Sequence, residues 1–193
     1  MVKHYRLLSI KIKKYYQLEN EIENIHAGLK FTQCPYCKLV GLLIMHGFLY
    51  GYDEQNNKPG FIRGRRFFCS NRNKKIGCGR TINIFKTLII KSFTYTANTI
   101  WDFLNNILNN FNIFQAFKIL NIPFSSSTPY RLFSKFKLKQ SELRTALNRI
   151  KSPPDNSTYS NPVFQTIEHL RHAFKNYDCP AAAYQYAAQS SIL

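Results

Sequence analysis

The sequence predicts an α+β protein: a small β-hairpin zinc ribbon in the first half of the chain and a mostly α-helical second half. Three observations predict it. Two pairs of cysteines, Cys34/Cys37 and Cys69/Cys78, bracket a run rich in aromatic and β-branched residues. Inside that run the polar string D-E-Q-N-N-K-P-G separates two strand-like pieces. Beyond residue 97 the apolar residues recur every three to four positions, the spacing of one helix face.

The first element, over residues 5–26, places Leu8, Ile12, Tyr15, Tyr16, Leu18, Ile22 and Ile25 at loosely helical spacing, with glutamates in its second half. It reads as a helix that ends near Gly28, so residues 1–30 form an N-terminal helical segment. Lys11, Lys13 and Lys14 on it read as solvated. Residues 39–52 and 61–68 then read as the two arms of the hairpin, with residues 53–60 as the loop.

The cysteines decide what such a hairpin is for. Two thiolates separated by two residues, as in Cys34-Pro35-Tyr36-Cys37, reach one tetrahedral metal ion. A hairpin that rises from one pair and returns to the other brings all four thiolates to a single Zn²⁺, which replaces the core a small sheet lacks. Residues 31–90 are therefore expected to be a four-cysteine zinc ribbon, with Cys34, Cys37, Cys69 and Cys78 as ligands of one structural Zn²⁺. The eight residues between Cys69 and Cys78 are more than the usual two to four, and Gly77 and Gly79 flank Cys78 where a tight turn needs them. A disulfide scaffold is the competing reading of five cysteines. His46 reads as a plain strand residue and Cys179 as an ordinary buried thiol.

After a linker near residues 91–96, residues 97–110 place Ile100, Trp101, Leu104, Ile107 and Leu108 on one face. Residues 112–121 do the same with Ile113, Phe114, Phe117 and Leu120. The string I-P-F-S-S-S-T-P-Y-R-L-F-S-K-F-K gives a turn, a cap and a third helix, with Pro129 suited to its start. Residues 140–151 read as a further amphipathic helix. Two short helices, a polar turn and a basic helix predict a helix-turn-helix over residues 96–151. Residues 152–162 read as a linker. Residues 163–193 read as a C-terminal helical tail suited to docking on its own domain or to self-association.

Charge narrows the partners. The formal net charge is +17 over 193 residues, with a pI near 9.8. Residues 55–101 hold ten basic residues and no acid, whereas a solvated face normally mixes signs. Such a field favours a polyanion. A membrane is not the expected partner, because the chain has no 18-residue apolar run. The opening M-V-K-H-Y-R-L-L-S-I-K-I-K-K is broken by lysines and does not read as a signal peptide, so a cytoplasmic, nucleoid-associated protein is expected. The expected nucleic-acid contacts are Arg63, Arg65, Arg66, Arg72, Lys74, Lys75 and Arg80 in the ribbon. In the helical part they are Ser126, Ser127, Thr128, Tyr130, Arg131 and Lys135, on the N-terminal part of the helix expected to read the major groove.

The string C-P-Y-C, H-G-F and R-G-R-R-F-F-C-S-N-R…G-C-G-R-T resembles the zinc-ribbon and helix-turn-helix N-terminal regions of bacterial insertion-sequence transposases and transposon-associated DNA-binding proteins. The resemblance covers roughly residues 31–150. It implies the four-cysteine ligand set, a DNA-reading helix near residues 128–137, and binding or regulation at the ends of a mobile element. The chain departs from that family in its wide second cysteine spacing and in having no recognisable catalytic domain.

No catalytic constellation stands out among the ten acids, and a four-thiolate zinc site keeps no open coordination position. The expectation is a non-catalytic protein that binds double-stranded DNA with some sequence preference. Besides an assembly adaptor whose helical C-terminal part binds protein, two alternatives stay open at this point. One is an RNA-binding zinc ribbon that uses its interleaved aromatics. The other is a small metal-dependent nuclease or recombinase using Asp53, Asp102 or Glu142. A homodimer or a separate catalytic transposition subunit is the protein partner such a role would call for.

Overall fold

The computed structural model describes residues 10–155, 157 and 159–193. It is α+β, with a small mixed sheet and, among the described residues, six α-helices. The chain forms two compact units, Met1–Tyr50 with Ile62–Lys86, and Gly51–Phe61 with Thr87–Leu193.

In the first unit, β1 (Ile10–Lys11) pairs in parallel with β3 (Thr32–Gln33). A four-stranded sheet has the order β2 (Tyr16–Gln17), β6 (Thr81–Lys86), β5 (Pro59–Cys69), β4 (Leu43–Tyr52). β6 lies between β2, to which it is parallel, and β5, to which it is antiparallel, with Phe67 opposite Ile82. Its sequence T-I-N-I-F-K alternates, so Ile82 and Ile84 are buried while Thr81 and Asn83 face out. Gly64 permits the close approach of β5 and β6, because a Cβ there would stand 2.0 Å from the Ile84 carbonyl oxygen.

The helix expected over residues 5–26 is confined, among the described residues, to α1 (Glu19–Ala27), and residues 5–9 lie outside them. Residues 10–17 carry strands instead. Ile12 and Tyr16 are buried four apart, which mimics a helical repeat, but Ile10 and Tyr16 find strand partners in β3 and β6 while Ile12 lies between the two strands. Ile22 and Ile25 of α1 join Ile12, Leu43, Phe67, Ile82 and Ile84 in one small core that also contains Cys34 and Cys69.

The second unit packs α2 (Ala97–Leu108), α3 (Ile113–Lys118), α4 (Thr128–Ile150), α5 (Pro162–Ala173) and α6 (Pro180–Ala188) around a single core. Phe117 sits at its centre, edge-on to Tyr95, Phe103 and Phe124. The break expected near residue 140 is absent: α4 runs unbroken for 23 residues, since K-L-K-Q-S-E-L holds neither Gly nor Pro. The C-terminal helices dock on this core through Ile167, Leu170, Ala181 and Tyr184. Buried Gln185 donates to the carbonyls of Thr87 and Ile89 at 2.7 and 3.1 Å. No helix among the described residues is long and apolar enough to cross a membrane.

Candidate metal centre

Each cysteine pair is positioned by a turn closed with backbone hydrogen bonds. In the first, Cys34 follows β3 directly; its amide donates to the Leu39 carbonyl at 2.9 Å and its carbonyl accepts from the Lys38 amide at 3.0 Å. In the second, Cys69 ends β5, and residues 70–77 make an excursion that closes on itself. The Gly77 amide donates to the Ser70 carbonyl at 3.0 Å, and the Gly79 amide to the Cys69 carbonyl at 3.0 Å. The wide spacing is thus a loop pinched at its base, and Cys78 returns beside Cys69. Gly77 is required there, because a Cβ would stand 2.2 Å from the Ser70 oxygen and 2.9 Å from the Cys69 sulfur. The Ser70 amide also donates to the Leu42 carbonyl at 2.8 Å, tying the second turn to the chain that leaves the first.

The four sulfurs converge. All lie within 4.8 Å of one another, with Cys34–Cys78 at 3.8 Å and Cys37–Cys69 at 3.6 Å. Such separations are far beyond the roughly 2.05 Å of a disulfide. A tetrahedral ion bound by thiolates at about 2.3 Å sets sulfur–sulfur edges of about 3.8 Å, so the set fits a metal ion and is compatible with zinc. Comparison with protein-family models, curated proteins and solved structures finds no match for this chain.

Cys34 and Cys69 are buried and Cys37 and Cys78 half-buried, so the centre sits at the edge of the small core. Burial pushes the Cys69 thiol up to about 12 and raises Cys34, while a backbone amide hydrogen bond from Leu39 holds Cys37 down at about 7. A cation held among the sulfurs would offset the burial that disfavours two of the thiolates. The Cys78 amide also donates to the Cys69 sulfur at 3.4 Å. His46 lies apart from the centre, exposed on β4 with its ring 5.9 Å from that of Phe68. Cys179 is also apart: half-buried, it caps α6, its sulfur accepting from the Ala182 amide. Among the described residues no other group of three or more His, Cys, Asp or Glu side chains is placed to hold a metal.

The basic residues divide into two sets. Arg63 is buried, and Arg65 is only slightly exposed, forked onto Glu23 at 2.7 and 2.8 Å with its guanidinium over Phe48. These two serve the fold of the first unit. Arg66 donates to the Asn83 side chain at 3.2 Å, while Arg72, Lys74, Lys75 and Arg80 are exposed around the second cysteine turn. None of the latter four joins an ion pair among the described residues. In the second unit Ser126, Ser127, Tyr130, Arg131 and Lys135 are exposed and Thr128 half-exposed at the start of α4. Lys135 lies over the Phe93 ring at 4.9 Å. Nine residues, 119–127, separate α3 from α4, longer than the three- or four-residue turn of the simplest helix-turn-helix.

Sequence reasoning missed Glu54, on the loop after β4. Its carboxylate accepts from the Thr96 amide at 2.7 Å and from the Thr96 and Thr99 hydroxyls at 3.1 and 2.9 Å, capping α2. No local signal marks a cap 42 residues away from its helix.

Proposed function

We propose that this chain is a non-catalytic, double-stranded-DNA-binding protein whose tetrathiolate centre holds one structural Zn²⁺, the core of a zinc ribbon. The observation that carries the reading is the coincidence of the thiolate cluster with the exposed cations of the same turn. Arg72, Lys74, Lys75 and Arg80 stand there outside any ion pair among the described residues. When bound, the metal ion crosslinks the two turns and so fixes those cations against a phosphate backbone. With all four coordination positions supplied by cysteine, it has no position left for substrate.

Sequence preference comes from the second unit, where α2, α3 and α4 act as a helix-turn-helix with a lengthened turn. Arg131 and Lys135 on the first turns of α4 suit base-edge and phosphate contact. The resemblance of the cysteine–arginine block to insertion-sequence transposases supports a role at the ends of a mobile element.

The test is binding of the zinc-loaded chain to duplex DNA across a salt series. Affinity is expected to fall linearly with salt on logarithmic axes, and the Lys74→Ala/Lys75→Ala double variant to lower the slope by about two. Arg131→Ala is expected to flatten the preference among randomised duplexes. Binding that is indifferent to salt would overturn the proposal.

A further inference from the structure

The tetrathiolate centre carries the same small arrangement on both sides. Tyr36 immediately precedes Cys37, and the Arg80 guanidinium carbon lies 5.0 Å from its ring centroid. Phe68 immediately precedes Cys69, and the Arg72 guanidinium carbon lies 5.2 Å from its ring. The sulfurs of Cys37 and Cys69 are 3.6 Å apart, so the two ring–guanidinium pairs flank one cluster. A third such pair lies in the same unit: the Lys14 ammonium is 4.8 Å from the centroid of the Tyr15 ring. Tyr15 and Tyr36 are each 39% exposed, and the exposed His46 ring lies 5.9 Å from that of half-buried Phe68.

A core does not need these rings, and a duplex cannot use them. In double-stranded DNA the base faces are hidden in the stack, and only phosphates and groove edges are offered. Unpaired bases present their π-faces, which stack on aromatic rings and on guanidinium planes while nearby cations neutralise the phosphates. Ring–guanidinium pairs beside the cysteine cluster match that ligand in chemistry and in charge.

We infer that the four-cysteine unit binds unpaired bases of a DNA strand, with Tyr36 and Phe68 as stacking platforms and Arg80 and Arg72 as their cationic partners. The inference rests on the nucleic-acid reading above and extends it: the chain takes a single strand at the tetrathiolate centre.

The experiment uses the full-length, zinc-loaded chain with three probes of one sequence: a single-stranded DNA carrying 2-aminopurine, its duplex, and a single-stranded RNA. Binding of the single-stranded DNA is expected to quench 2-aminopurine fluorescence. Tyr36→Ala and Phe68→Ala are each expected to weaken single-strand binding about 5- to 150-fold and to diminish the quench. Tyr36→Phe keeps the ring and is expected to bind like the parent. If an alanine variant loses its zinc, Arg80→Gln, at an exposed position outside the thiolate set, replaces it and is expected to weaken single-strand binding. Wild-type quenching that survives in both alanine variants overturns the inference, as does duplex binding without any single-strand quench; in the second case the proposed duplex function stands. Failure to bind either DNA form would sink both, and tighter binding of the RNA strand would overturn the assignment to DNA.

Discussion

Gly77 shows how one residue can govern a centre to which it contributes no ligand. The loop from Ser70 to Gly77 brings Cys78 back beside Cys69 only because the Gly77 amide reaches the Ser70 carbonyl with no side chain between them. Gly77→Ala places a methyl group against the Ser70 carbonyl oxygen and the Cys69 sulfur. Overpacking of this kind costs about 1–3 kcal/mol. Zn²⁺ affinity, measured by competition with a chromophoric chelator, is expected to fall roughly 5- to 150-fold at about 1.4 kcal/mol per decade. An unchanged affinity would show that the base of the loop relaxes. At this scale the cysteines were legible because thiol spacing is chemical information carried in the chain itself. The fates of Arg63 and Arg65 were not, because composition counts charges without their partners: Arg63 is buried and Arg65 is committed to Glu23.

At the scale of elements, the cap on α2 is the least expected feature. Thr96 accepts from the Thr99 amide as a local N-cap should, and Glu54 adds three further hydrogen bonds at a helix start that favours negative charge. Glu54→Ala is expected to destabilise the helical unit by about 1–2 kcal/mol. Trp101, the one tryptophan of the chain, is buried in α2 and reports urea unfolding of that unit by its fluorescence. A midpoint equal to the parent's would show that the cap is replaced by solvent. Helices over 97–108 and 113–118, and the start of the one over 128–150, were legible from apolar periodicity and end signals, but the unbroken run of the last past residue 140 was not. The N-terminal strands were not, since the buried pair Ile12 and Tyr16 keeps a helical spacing although only Tyr16 lies in a strand. The pairing of β1 with β3 and of β2 with β6 is the long-range contact that decides between the two.

Across the whole molecule, charge is distributed by unit. Met1–Tyr50 with Ile62–Lys86 holds 15 Lys/Arg against 3 acids, while the remainder holds 12 against 7. The unit with the tetrathiolate centre is therefore the more cationic, and polyanion binding is expected to be carried chiefly there. The helical unit has a different pH dependence. His169 is buried with its Nε2 2.8 Å from the Lys151 carbonyl, and burial lowers its pKa, helped by His172 and Arg144. A depressed histidine means that the unfolded chain binds the proton more readily. Its contribution to stability is thus complete above the ordinary histidine value of about 6.5 and is lost as pH falls towards the folded value. The urea midpoint followed by Trp101 is expected to drop between about pH 7.5 and about pH 5. His169→Gln is expected to flatten that drop, and an undiminished slope in the variant would remove His169 as its cause.

Read alone, the chain determined the α+β class, the hairpin between two cysteine turns, the four thiols that converge and the apolar faces of the main helices. These are properties of spacing and periodicity, which act over a few residues or through the shared chemistry of four thiols. Tertiary structure alone decided that β6 lies between β2 and β5, that the last two helices join the same core as α2 to α4, and which arginines remain at the surface. It also decided that Glu54 caps a helix 42 residues on and that a wide loop closes on Gly77. Each depends on groups far apart in sequence meeting in a packed interior, where burial, hydrogen bonding and pairing select among local conformations of nearly equal energy.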